Sequence, residues 1–273
     1  MSSEKIIVSL TTWKPRIGNI PVVLDTIFDQ TKRPDKVVLN LSFDEIIPDD
    51  IQDYIDHHNV EIFRVPDTKV YKKLIPTLLR YPDDCIISID DDFLYPKTMI
   101  EDFWETHLRF PDSPISGNAV VLFEMQCHCG CASLTKAEFF GKYLSMIDAA
   151  LMENCLSDDI VYTFLSTKNK RPYLRTEHQY FENMESYNSV ISYTESTLEK
   201  KIIDNSYAYL TKRFGRVTFD DIIAGYSRDD CAFDVIKDIS VDHGVKVCKS
   251  TYSYRVGRAI LSPLLFLKKK IGL

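Results

Sequence analysis

Short apolar runs rich in valine and isoleucine alternate with amphipathic stretches four times in the first hundred or so residues. The runs are 5–12 (KIIVSLTT), 35–42 (DKVVLNLS), 60–65 (VEIFRV) and 85–89 (CIISI). The stretches that follow them are 20–30, 48–57, 71–81 and 97–109. β-Branched runs of this length read as strands buried on both faces, and apolar residues at helical spacing mark the stretches between as helices. Alternation of this kind specifies an α/β chain with a doubly wound, mostly parallel sheet, and right-handed crossovers leave few topologies for it. No Gly-x-Gly-x-x-Gly follows the first run, so the usual dinucleotide fingerprint is missing.

The fourth run ends abruptly in three carboxylates, Asp90, Asp91 and Asp92, before a turn at Tyr95-Pro96. In open α/β sheets ligands gather at the carboxyl ends of the strands. Alternation along a strand places Asp90 and Asp92 on one side and Asp91 on the other. Converging carboxylates repel one another unless a cation lies between them. A hard divalent ion with oxygen ligands, Mn2+ or Mg2+, suits such a pair and usually shares its coordination with substrate phosphates. A solvated acidic turn would use the same residues, and the hydrophobic strand directly before them favours a site.

Downstream, 97–109 reads as a helix with Phe103 and Trp104 on its apolar side, 114–133 as strand-rich, and 136–152 as a further helix. Ser157 is placed as the N-cap of the next helix, with Asp158 and Asp159 in its first turn. The polar, tyrosine-rich stretch 171–201 reads as loop with short strands, and 205–244 as helical in two or three pieces. Cys127, Cys129 and Cys131 alternate along one run. They are expected to pack as small apolar side chains in preference to sharing a zinc with Cys155. His178 and His243 are further candidate metal ligands, with a locally satisfied histidine the simpler expectation.

Acidic residues outnumber basic ones 40 to 33, which argues against general nucleic-acid binding. The balance is uneven, because 246–273 holds seven Lys or Arg and no Asp or Glu. Residues 252–273 combine aromatics, leucines and lysines, a composition that suits contact with an anionic membrane surface; packing on the domain or docking on a partner enzyme are the alternatives. Seven cysteines and no apolar leader point to a reducing cytosol. No run reaches the roughly 18 apolar residues of a membrane-spanning helix. The expected location is therefore cytoplasmic, with peripheral contact at the inner face of the cell membrane through the tail.

Five segments in order carry a resemblance: Ile6-Ile-Val-Ser-Leu-Thr-Thr12 with Arg16-Ile17, Pro34-Asp-Lys-Val-Val-Leu, Tyr71-Lys-Lys-Leu-Ile-Pro76, Ile87-Ser-Ile-Asp-Asp-Asp-Phe-Leu-Tyr-Pro96, and Ser157-Asp-Asp-Ile160. Together, over about residues 5 to 170, they resemble bacterial GT-A-fold glycosyltransferases of the family-2-like kind that assemble capsule and lipopolysaccharide. The resemblance implies a nucleotide-sugar-binding half (1–96), an acceptor-binding half of the same domain (97–175) and a C-terminal extension (176–273). It implies a UDP-sugar donor, with a GDP-sugar the second choice, and a saccharide or lipid-linked acceptor. Thr11, Thr12 and Arg16 then lie against base and phosphates, Asp67 and Lys73 contact base or diphosphate, Asp90 and Asp91 belong to the donor site, and Asp92 with Asp90 holds the metal. Asp159 is the expected general base and Asp158 its neighbour, which implies single displacement with inversion. Turn, helix-capping and solvated-face roles are the alternatives for Thr11, Thr12, Lys73 and the acidic pair. Where relatives carry a glycine-rich loop before the acidic helix, this chain has Cys129-Gly130-Cys131, so the acceptor wall differs. A sugar-phosphate nucleotidyltransferase is a rival. It would want a glycine-rich basic loop after the first strand, where 11–16 reads TTWKPR. A non-catalytic module with the same fold is the other rival.

Overall fold

A computed structural model describes residues 4–123, 125–128, 130–176, 187, 196–218 and 221–222. Nine strands are present among them: β1 Ile6–Thr11, β2 Lys36–Ser42, β3 Glu61–Val65, β4 Cys85–Ile89, β5 Ile115–Ser116, β6 Ala119–Leu122, β7 Met125–His128, β8 Ala132–Thr135 and β9 Leu174–Arg175. Helices are α1 Ile20–Phe28, α2 Asp49–His57, α3 Ile75–Arg80, α4 Met99–Arg109, α5 Ala137–Phe140, α6 Ala149–Asn154, α7 Asp158–Lys168 and α8 Ser196–Phe214.

Seven strands form one sheet in the order β3-β2-β1-β4-β8-β5-β9, and β6 pairs with β7 as a separate hairpin. β3, β2, β1 and β4 are parallel neighbours, as the alternating pattern requires. β8 runs antiparallel to both β4 and β5, and β9 runs parallel to β5. The sheet is therefore mostly parallel with one reversed strand beside β4, which the sequence pattern did not signal.

Period-two alternation divides the core between the two faces. Ile6, Val8, Leu10, Val37, Leu39, Ile87 and Ile89 pack with α1, α2 and α4 on one face. Ile7, Val38 and Ile86 pack with α3, α7 and α8 on the other. That second face is not wholly apolar near the site. The Ser9 hydroxyl donates to the Lys73 carbonyl at 2.6 Å, and Asn40 donates to Ser9 and Thr77 at 3.1 and 3.0 Å. These bonds pin the chain at Lys73 above the carboxyl end of β1.

Three expected helices change shape. The 71–81 stretch is a 3-10 turn over Lys69–Lys73 followed by α3. Pro76, which lacks an N–H, is tolerated only in a first turn and so fixes where α3 begins. The 136–152 stretch is broken into α5, a 3-10 turn over Gly141–Met146, and α6. Gly141 adopts φ +52°, and the Asn169 amide donates to the carbonyls of Glu138 and Phe139 at 3.2 and 3.0 Å, closing α5 from outside. Helix α8 begins at Ser196, inside the stretch expected to be loop. Residues 252–273, His178, His243 and Cys129 lie outside the described residues. Among the described residues no helix is long and apolar enough to cross a membrane.

Candidate active site

Strand β4 stops at Ile89, and Asp91 and Asp92 belong to a turn. Strand alternation therefore does not extend through the aspartates, and their grouping differs from the expected one: Asp91 and Asp92 face one cation while Asp90 faces another. The Arg16 Nη1 lies 3.2 Å from Asp91 Oδ1 and 2.5 Å from Asp92 Oδ2. The Lys73 Nζ lies 3.0 Å from Asp90 Oδ1.

The loop after β1 supplies the first group. Thr12 donates its hydroxyl to Asp91 Oδ2 at 2.5 Å, and the Asn19 amide donates to the Asp91 carbonyl at 3.2 Å. Asn19 also donates to the carbonyl of Tyr187, whose own N–H donates to the Asp92 carbonyl at 2.8 Å. Burial pushes the Asp91 carboxyl up to about 6, against the pull of Arg16 and Thr12. Thr11 turns away and donates to the Asn40 carbonyl at 2.7 Å. Tyr95 ties the strand end together, its hydroxyl accepting from the Asp90 N–H at 2.9 Å and lying 2.9 Å from the Cys131 carbonyl as donor.

The second group joins the 3-10 turn to the first turn of α7. Lys73 Nζ lies 3.2 Å from Asp158 Oδ2 and 4.0 Å from Asp159 Oδ1, so one buried ammonium serves three carboxylates. Burial opposes its charge, but Asp158, Asp90 and Asp159 hold its pKa well above the ordinary lysine value. A solvated-face role for Lys73 is thus excluded. Ser157 occupies the N-cap position of α7 without a side-chain capping bond. The acidic pair is therefore turned into the cluster instead of capping its own helix.

The two carboxylates of the pair are made unequal by their surroundings. Asp158 is raised by burial, with Lys73 opposing and Asp159 and Asp90 adding to the rise. Asp159 is lowered: burial works against ionisation, but His128, Lys73 and the Gly130 N–H outweigh it. That N–H donates to Asp159 Oδ2 at 2.9 Å, and His128 Nε2 lies 3.4 Å from Oδ1. Burial lowers the His128 pKa, and the Asp159 carboxylate pulls it back up. The ring is fixed by Ser116 Oγ at 2.8 Å from Nδ1 and by stacking on Tyr173 at 5.5 Å. Nothing in the sequence distinguished His128, because a histidine on a buried strand far from the acidic helix has no local signature.

Thr12, Arg16, Lys73, Asp90, Asp91, Asp92, Asp158 and Asp159 are thus gathered at the carboxyl end of the sheet. Asp67 is not brought into this cluster; it pairs with Lys72 at 2.7 Å, and Lys72 in turn donates to Ser42. Five carboxylates here face two fixed cations. Asp158 Oδ2 and Asp159 Oδ1 are buried and held by the Lys73 ion pair, without a well-directed hydrogen bond among the described residues. An excess of hard oxygen donors with unfilled acceptor capacity fits a divalent cation such as Mn2+ or Mg2+. A second grouping, Glu4, Cys85 and His107, lies at the amino end of β4. Glu4 there is already held by Lys136 at 2.6 Å and His107 at 3.0 Å, which makes it a structural contact. Cys85, Cys127, Cys131 and Cys155 are buried, form no disulfide among the described residues, and pack as small side chains.

No family model and no curated protein matches the sequence. Among solved structures, a mannosyltransferase from Pyrobaculum calidifontis, in complex with GDP-Man and Mn2+, superposes with a TM-score of 0.57 at 12% identity, covering 98% of this chain and 81% of that one. The fold is GT-A-like. At such identity the likeness establishes the fold alone. A glucosyl-3-phosphoglycerate synthase from Mycobacterium tuberculosis, solved with Mn2+, UDP and glucosyl-3-phosphoglycerate, matches at 13% identity over 80% of this chain and 82% of that one, with a TM-score of 0.47. A 4-diphosphocytidyl-2C-methyl-D-erythritol synthase matches at 11% identity over 74% of this chain and all of that one, with a TM-score of 0.44. These last two are too distant to bear on function. On the GT-A-like framework, the acidic turn and the start of α7 close over the carboxyl ends of β1 and β4.

Proposed function

We propose that the chain is a metal-dependent glycosyltransferase. It moves a sugar from a nucleotide-sugar, a UDP-sugar in first place and a GDP-sugar in second, to a saccharide or lipid-linked acceptor in cell-surface polysaccharide synthesis. The observation that carries the reading is the convergence of the Asp90–Asp92 turn and the Asp158–Asp159 helix start on one GT-A-like sheet edge, joined through Lys73. Asp92 and Asp90 would hold the divalent ion, which neutralises the diphosphate as it leaves.

Asp159 is the general base. It is ionised at neutral pH, and its side chain is 22% exposed against 8% for Asp158, so it is the member of the pair that an acceptor hydroxyl can approach. It takes the hydroxyl proton as the acceptor oxygen bonds to the anomeric carbon and the bond from that carbon to the diphosphate oxygen breaks. One base and one displacement give inversion. His128 and the Gly130 N–H hold Asp159 in position, Lys73 keeps Asp90 and the acidic pair together, and Thr12 holds Asp91. Arg16 and Thr12 lie on the donor side of the acidic turn, with Asp67 and Lys72 further out on the β3 side. The basic segment 252–273 supplies peripheral contact with anionic membrane, where a lipid-linked acceptor would reside.

The test is release of nucleoside diphosphate from UDP- and GDP-sugars with Mn2+ and an acceptor panel. Asp159→Asn is expected to lower turnover by about 10²- to 10⁴-fold while leaving nucleotide affinity within about threefold. Turnover that survives the substitution removes Asp159 as the base.

A further inference from the structure

Asp91 and Asp92 share one cation, and both are reached through the same nitrogen, Nη1 of Arg16. This is a compromise for a guanidinium, whose planar fork is shaped to engage an anion through two parallel N–H groups. The Arg16 Nε is buried and has no hydrogen-bond partner among the described residues, a donor that is costly until it finds an acceptor. The main chain at Arg16 is fixed, its N–H donating to the Trp13 carbonyl and its own carbonyl accepting from the Asn19 N–H, both at 2.8 Å. The side chain is less confined, at 23% exposure. Asp91 does not depend on Arg16 alone, because Thr12 grips its other oxygen.

We infer that Arg16 is an internal counter-ion that occupies Asp92, the carboxylate it shares with the proposed divalent-ion site, and, when that cation binds, turns onto the diphosphate of the donor. The identity of the anion rests on the transferase reading; displacement of Arg16 by the cation does not. A metal binding alone must drive the guanidinium off its carboxylates and leave it without an anion beside a new positive charge. A diphosphate gives both the metal and Arg16 the oxygens they need, including an acceptor for the orphaned Nε–H. Metal and nucleotide therefore bind with positive coupling, and by linkage each tightens the other by the same factor.

The measurement is Mn2+ affinity of the intact chain, followed by the electron-spin resonance signal of free Mn2+. It is made with no nucleotide, with UDP and with GDP, on wild type, Arg16→Ala, Arg16→Gln and Arg16→Lys. Circular dichroism checks that each variant is folded, and the glutamine variant stands in for alanine if the smaller residue perturbs the loop. Without nucleotide, Arg16→Ala and Arg16→Gln are expected to bind Mn2+ about tenfold more tightly than wild type, and Arg16→Lys within about threefold of it. Nucleotide should tighten Mn2+ binding about tenfold or more in wild type and much less in the two neutral variants. Equal or weaker Mn2+ binding by the neutral variants overturns the inference, as does absence of Mn2+ binding throughout. Failure of the transferase reading looks different: neither nucleotide changes Mn2+ binding in wild type, while the neutral variants still bind the metal more tightly.

Discussion

Asp91 is buried to 3% exposure, and its carboxyl is pushed up from 3.8 to about 6, so its ionisation at neutral pH is held at a cost to the fold. The sign follows from proton counting. Between the unfolded and folded pKa values the native state binds more protons than the unfolded one, so stability falls as pH rises through that window and is lowest above about 6. A rise of about two pKa units corresponds to about 3 kcal/mol. Asp91→Asn removes the charge while keeping an acceptor for Thr12. In metal-free buffer it is expected to stabilise the chain by up to about 3 kcal/mol at pH 7.5 and by about half that at pH 5, read from urea unfolding. An equal loss of stability at both pH values would show that the Arg16 contact outweighs desolvation. The same residue scale explains why the site was only partly legible. Residue types and order nominated Asp90–Asp92, and the resemblance added Arg16, Lys73 and the Asp158–Asp159 pair. The sequence could not tell that Lys73 would be buried under three carboxylates, because that depends on where a 3-10 turn meets the start of α7. Nor could it show His128 and Gly130 beside Asp159, which a separate hairpin delivers.

At the scale of elements, the first four strands were legible because burial on both faces demands continuous β-branched runs, a strong local pattern. β8 was not, since a short antiparallel strand beside β4 is chosen by its partners and not by its own composition. The helix expected over 136–152 failed for a similar reason. Its apolar spacing is intact, but Gly141 sits at φ +52°, ψ −133°, and Asn169, far along the chain, takes the space beside it. A Cβ at Gly141 would lie 2.5 Å from the Asn169 Oδ1. Gly141→Ala is therefore expected to cost at least about 1–3 kcal/mol of stability in urea unfolding, since the backbone there is one that only glycine adopts without strain. A neutral or stabilising result would mean that the continuous helix is accessible after all.

At the scale of the whole molecule, a sheet with helices on both faces brings the ends of β1 and β4, the 3-10 turn and the start of α7 to one edge. Each contributes one or two charged groups to a single cluster. Under the proposed transferase reading, a nucleotide occupies the β1 side and an acceptor the α7 side. The central claim is metal-dependent nucleotide binding at the acidic turn. It is tested most directly by calorimetric titration of UDP and GDP into the intact chain, with Mn2+ and with EDTA, on wild type and Asp92→Ala. The account predicts binding of one nucleotide in Mn2+ that is lost in EDTA and lost in the variant. Binding that is indifferent to metal and to Asp92, or no binding of UDP, GDP, CDP or dTDP under either condition, would contradict it and leave the aspartates as a charged turn closed by Arg16 and Lys73.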